Sequence, residues 1–295
     1  MRTKLLLGFL SVLLAFVSAC GKQQVKSSSD SPETSKAFDV AQAMNMFYGN
    51  YDAGSQTSTV TFSNTDSVQT RGEPMVARPL YHLASGSVGA PKFVLLMYAV
   101  PKSDEEYYCH ACAPTIGMAL FSHGASWTVD ASNRSVTDAG EFGKPPHDIE
   151  LVQIGPHHQA IKMIDVGGGN GETTSVLRIL VPWNRTVTLG MEKVIADDNS
   201  GSCGPDGMVP CYSNHRTLTF LKDDSTEYYD LHFKLVGTDL PLIENTRFRR
   251  ARNVQGSETL AFKDGKFVQL LRQGDVTFLE NWVAKYGATN GSRNF

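Results

Sequence analysis

Hydrophobic positions along the chain fall mostly into short runs and alternations that suit strands rather than long helical stripes. "KFVLLMYAV", residues 92–100, is a near-continuous apolar run, the pattern of a strand covered on both faces. "EYYDLHFKLVG", residues 227–237, alternates: Tyr229, Leu231, Phe233 and Leu235 share one side, and Asp230, His232 and Lys234 the other. "RTVTLGME", residues 185–192, places Val187, Leu189 and Met191 on one face, and "RTLTFLK", residues 216–222, is a further candidate strand. "LAFKDGKFVQL" predicts a hairpin, because Asp264-Gly265 suits a two-residue turn with positive φ.

Helical spacing is confined to the two ends of the chain. Val40, Met44, Phe47 and Tyr51 recur in "KAFDVAQAMNMFYGNY". Near the C-terminus, Asp275 can cap a helix whose apolar face is Phe278, Leu279, Trp282 and Tyr286, with Gly287 as the stop. The expected fold is mainly β: an antiparallel sandwich or partly closed barrel with short flanking helices at both ends. No internal repeat points to a propeller.

The first twenty residues break from this pattern. Arg2 and Lys4 precede a thirteen-residue apolar run, residues 5–17, followed by Ser18, Ala19 and Cys20. As a helix the run would cover only ~20 Å of a ~30 Å hydrocarbon core, so it reads as a cleavable export signal. The ending "VSAC" resembles a bacterial lipobox. That resemblance implies lipidation of the Cys20 sulfur, cleavage before Cys20 and acylation of the new amino group, and two or more chains hold a protein stably on a bilayer. Gly21 follows where inner-membrane lipoproteins often carry Asp, so the resemblance implies an outer membrane, facing the periplasm, if the host has two membranes. Residues 21–36 carry one strongly apolar side chain, Val25, among Ser, Lys, Gln, Asp and Glu. Such a stretch cannot bury enough surface to offset its ordering entropy and is expected to be a tether. The organisation is then a signal over 1–19, a lipidated tether over 20–36 and a single β-rich globular domain over 37–290, with a division into two subdomains as the alternative.

Charge narrows the partners. The chain has 27 basic and 30 acidic residues, and loss of Arg2 and Lys4 would leave 25 against 30. That mild acidity argues against a nucleic-acid binder. Membrane contact through the lipid and a protein or anionic component of the envelope are the expected partners.

Four cysteines lie beyond Cys20. Three connectivities are open to them, and closeness in sequence favours Cys109 with Cys112 and Cys203 with Cys211. In "YYCHACAP", Cys109 could attack a substrate disulfide, Cys112 resolve the mixed disulfide and His110 lower the nucleophile's pKa. A thioredoxin-like setting needs a strand directly before the motif and a long helix after it. "PKSDEE" and the short, glycine-broken "APTIGMALFSHG" do not supply these, so a structural disulfide is the better expectation. Cys109, His110 and Cys112 lack a fourth ligand of telling spacing for a closed metal site, and His does not follow the second Cys as haem attachment requires. "CHACAP" and the downstream "DDNSGSC" resemble segments of a group of exported bacterial proteins, a likeness that implies no activity.

"MIDVGGGNGETTSV", residues 163–176, has the acid (Asp165) and glycines (Gly167, Gly169, Gly171) of a methyltransferase cofactor loop. The β-branched "ETTSVLRILVP" that follows favours strand, not the helix such a loop needs. The expectation is a pair of strands, "HQAIKMIDV" and "TTSVLRILV", joined by a mobile glycine turn, with no cofactor. Asp197, Asp198, Asn199 and Asp206 offer hard oxygen ligands but lack the spacing of an EF-hand, and a disulfide-closed surface loop is expected there. Adjacent His157 and His158 would face opposite sides of a strand at the surface. Arg247, Arg249, Arg250 and Arg252 in "TRFRRAR" could gather toward one anion, such as a lipid phosphate or acidic glycan. No recognisable catalytic set is found, which favours a binding protein over an enzyme. Thiol–disulfide exchange at Cys109 and Cys112 is the alternative.

Overall fold

A computed structural model describes residues 38–62, 74–87, 90–102, 113–124, 126–204, 210–240 and 251–270. These residues form one helix and thirteen strands. Helix α1 is Val40–Tyr48, opened by Asp39, whose carboxylate accepts from the Gln42 N–H at 3.0 Å. The first strands form an antiparallel meander: β1 Ser58–Thr61, β2 Pro74–Ser87, β3 Ala90–Pro101, β4 Thr115–His123 and β5 Trp127–Asp138. β6 Asp148–Gly155, β7 His158–Gly169, β8 Glu172–Trp183 and β9 Thr186–Asp198 follow as long antiparallel hairpins. A last meander comprises β10 Ser213–Leu221, β11 Asp230–Asp239, β12 Arg252–Lys263 and β13 Lys266–Gln269.

Strand β9 joins the three groups. Along most of its length it pairs with β8; at its start it touches β5 in a single parallel pairing, Ser132 with Thr186, and at its end it pairs with β10. The thirteen strands are thus one mixed, open sheet that branches at β9. Its parts stack in layers. Phe93, Leu95, Met97 and Ala99 of β3 pack with Met44 and Tyr48 of α1, and Val94 and Leu96 pack on the other side with Ile161 and Met163 of β7 and Leu180 of β8. The opposite face of the β6–β9 layer, including Ile154, Leu177 and Ile179, packs against Leu231, Phe233, Leu260 and Phe267 of the last meander. The unbroken apolar run of β3 follows from this stacking, since both of its faces are covered.

Most strand expectations hold. Tyr229, Leu231 and Phe233 are buried together on one side of their alternation. Asp264 (φ 50°) and Gly265 (φ 83°) form the two-residue turn between β12 and β13. One expectation needs correction: Val187 and Leu189 face the first meander, but Met191 faces the last one. The register shifts so that Ile179 opposes Met191 while Leu180 opposes Leu189, leaving Gly190 as an extra residue that reverses the alternation. A Cβ at Gly190 would stand 2.5 Å from a Val181 methyl, so the bulge fits a residue without a side chain. The N-terminal helix is present but ends at Tyr48, capped by Gly49, so Tyr51 of the expected helical spacing lies beyond it. The second, over 275–287, lies outside the described residues, as do the export signal and tether.

Candidate functional site

The apolar seam between the first meander and the β6–β9 layer ends differently on its two sides. At one end Arg178 of β8 reaches two carboxylates on neighbouring strands. Its Nε donates to Glu192 Oε2 at 2.7 Å and its Nη1 to Asp165 Oδ2 at 3.1 Å. The same Asp165 oxygen accepts from the Gly140 N–H at 2.8 Å. Asp138, at the end of β5, accepts from the Thr115 hydroxyl at 2.8 Å. Burial pushes the Asp138 carboxyl above the usual range, against the opposing pull of the Thr115 hydrogen bond and the Arg178 charge. The Arg178 side chain is 12% exposed and that of Asp165 17%. Two of the guanidinium nitrogens are matched to carboxylates on the neighbouring strands, so the cluster cross-links β7, β8 and β9.

At the opposite end the seam opens into a small cleft of about 60 Å³. One wall is the first meander: Lys92 and Val94 of β3, with Leu120 of β4 opposite Val94. The other is the β6–β9 layer, with Leu151, Gln159 and Pro182. His157 in the β6–β7 turn and His158 at the start of β7 complete the rim. Nitrogen bases and an amide therefore line the mouth, aliphatic side chains line the floor, and no carboxylate is among the lining residues. The Ser85 hydroxyl donates to Gln159 Oε1, which leaves the Gln159 amide NH₂ as its donor group. Among the described residues Lys92 has no ion-pair partner.

His158 is held from the far side. Its ring stacks on Tyr228 with centroids 4.2 Å apart, and Tyr228 stacks on Phe262 at 3.9 Å. Its Nε2 lies 3.3 Å from Glu227 Oε1. Burial pushes the His158 pKa below its ordinary value; Glu227 opposes this, while the positive charges of His157 and Lys92 add to it. Burial, with the nearby Glu227 charge, pushes the Tyr228 hydroxyl up to about 12, so it stays protonated.

The residues singled out in the sequence are placed as follows. The glycine stretch is a hairpin: β7 and β8 pair from Ile161–Leu180 through to Gly169–Glu172, and Asn170 (φ 55°) with Gly171 (φ 81°) makes the turn. Residues 172–181 are strand, so the helix that a methyltransferase loop requires is absent, and Asp165 serves Arg178 instead. Gly167, Gly168 and Gly169 lie in the ladder rather than in a loop, and Pro182 lies within β8. The turn docks on the next segment: Gly201 N–H donates to Gly171 C=O at 3.0 Å, and a Cβ on Gly171 would stand 2.4 Å from Gly201.

Cys203 and Cys211 are bonded, as their closeness predicts. The buried Asn199 organises this loop, donating to Pro210 C=O at 2.9 Å and accepting from Tyr212 N–H at 2.8 Å. Asp197 accepts from Thr174, and Asp198 from Ser200. Among the described residues no three His, Cys, Asp or Glu side chains are placed to hold a metal ion. The two histidines do not face opposite sides of a strand: His157 lies in the turn before β7, and both line the same cleft. His158 is half-buried and stacked, more enclosed than the surface position expected for the pair. Arg252 is exposed at the start of β12 opposite Asp239. Cys20, Cys109, His110, Cys112, Asp206, Arg247, Arg249 and Arg250 lie outside the described residues.

Reading the sequence missed Lys92, Gln159 and Arg178. A signal was present: each continues an apolar alternation, as Lys92 does before Val94 and Leu96, and so lies on a buried face near the limit of the core. No family model, curated protein or solved structure matches the chain. Among the described residues no helix is long and apolar enough to cross a membrane.

Proposed function

We propose that the chain is a lipid-anchored envelope protein whose exported β fold binds an envelope partner or ligand, facing the periplasm from the outer membrane where the host has two membranes. The observation that carries this reading is the order of segments: a positive start, a short apolar run, "VSAC" at 17–20, and a polar stretch leading to the β fold. The bonded Cys203 and Cys211 support it, because disulfides persist in oxidising compartments outside the cytoplasm. The helical pattern over 275–287 would supply the second flanking helix of the sandwich. Binding is favoured by the chemistry of the cleft, where an ammonium and an amide stand over an aliphatic floor.

Cys20→Ser tests the anchor. The wild type should incorporate labelled fatty acid and sediment with membranes, whereas the variant should lose the label and the membrane association. A variant that is still processed and membrane-bound would end the lipoprotein reading.

A further inference from the structure

The cleft at the open end of the seam combines three features. Its mouth carries Lys92, His157 and the Gln159 amide, its floor is aliphatic, and no carboxylate lines it. In a chain with more acidic than basic residues, this concentration of unpaired donors is not the average character of the surface. A lone cation is well solvated in water, but an ammonium at the mouth of an apolar cleft with no carboxylate among its lining residues favours an anion. Glu227 offsets this only from behind His158, on the Nε2 side, and is not part of the lining.

Size limits the ligand. A water-sized group occupies roughly 10–15 Å³ on the measure used for such cavities. A cleft of about 60 Å³ therefore accepts on the order of four to six non-hydrogen atoms. A carboxylate with a short alkyl chain has that size. Its two oxygens can accept from the Lys92 ammonium and the Gln159 amide, and its methylenes can cover Val94, Leu120 and Leu151. An inorganic anion would leave that floor against water, and an uncharged alcohol of equal length would leave Lys92 unmatched.

We propose that this cleft is a binding site for a short-chain organic carboxylate, with Lys92 and Gln159 holding the charged end and the Val94–Leu120–Leu151 floor holding the chain. The assignment deepens the binding reading above and is independent of the lipid anchor. Butanoate is the probe, measured against the full chain in nonionic detergent by saturation-transfer NMR, which reads weak complexes from the ligand's own signals. For so few atoms a Kd of about 1 mM is expected. Butan-1-ol and acetate, lacking the charge and the chain respectively, should each bind at least ~10-fold more weakly. Lys92→Gln and Gln159→Glu should weaken butanoate by at least ~10-fold, while Lys266→Gln, exposed on β13, should not change it. Circular dichroism verifies that each variant is folded, and two independent rim variants keep the test decisive if one is not.

Absence of saturable butanoate transfer would overturn the site, as would equal binding by the folded Lys92→Gln variant. Equal binding by butan-1-ol would remove the role of charge, and equal binding by acetate would remove the role of the floor; either result overturns the proposal. Because these readouts need no membrane attachment, they can fail while the Cys20 experiment succeeds, and the reverse.

Discussion

At the Arg178 end of the seam, one guanidinium is shared between Asp165 and Glu192 and stands near the part-buried Asp138. At the other end, Lys92 and two histidines crowd the mouth of a cleft with a single carboxylate behind them. Both ends are made by the same layers, and both place charged side chains where the apolar face runs out. The difference lies in which partners the strand register brings across. Opposite charges on adjacent strands turn one end into a strut, and an ammonium with no carboxylate across from it leaves the other open to a ligand. A paired, part-buried charge is costly to orphan, whereas an unpaired charge in contact with water is cheap to remove.

The largest test of this contrast is Arg178→Met against Lys92→Met. Removing Arg178 strands Asp165 and brings the buried part of Asp138 no compensating charge, so urea denaturation should show a loss of about 2–4 kcal/mol. Removing Lys92 should stay within about 0.5 kcal/mol. Equal losses would mean that the two ends do not differ in the way described.

A smaller effect is expected at Asp138. Because burial raises its folded-state pKa above 3.8, the folded protein holds this proton more tightly than the unfolded chain does. Stability from this group is therefore present at low pH and falls as the pH rises from 3.8 through the elevated folded value. Asp138→Asn keeps an acceptor for the Thr115 hydroxyl and removes the ionisation. It should be neutral or more stable by about 0.5 kcal/mol at pH 7, and should lack that acid-range slope in a series of melting curves.

The smallest effect belongs to His158, where the sign is opposite to that at Asp138. Its folded pKa lies below 6.5, so its contribution is intact above pH 6.5 and is lost as the pH falls through the lower folded value. Replacing Tyr228 by Ala removes the ring that covers one imidazole face. NMR titration of His158 should then show its pKa move up toward 6.5, and no movement would separate its depression from the aromatic stack.

Much of the strand pattern was legible because it rests on local periodicity. The run 92–100, the alternation from Tyr229 to Phe233 and the Asp264-Gly265 turn each state their structure within a dozen residues. The glycine stretch was legible as a hairpin for the same reason, since β-branched residues after it favour a strand. Its supposed mobility was not: the turn hydrogen-bonds to Gly201, a contact thirty positions away. Met191 was misplaced because a bulge at Gly190 interrupts the alternation, and a glycine in a strand does not announce which way the register will slip. The cleft was illegible as a site. Lys92 and His157 lie sixty-five positions apart, and either alone reads as an ordinary surface residue.

The sequence by itself determined which segments become strands, where their tight turns fall and that Cys203 bonds its neighbour Cys211, because those outcomes depend on neighbours along the chain. Tertiary structure alone decided that the sheet branches at β9 and folds over both faces of its middle layer. It also decided which charges meet. Apolar burial is non-directional and commits a face to the core without naming the opposing layer. Only the final stacking places Arg178 among carboxylates and Lys92 beside imidazoles.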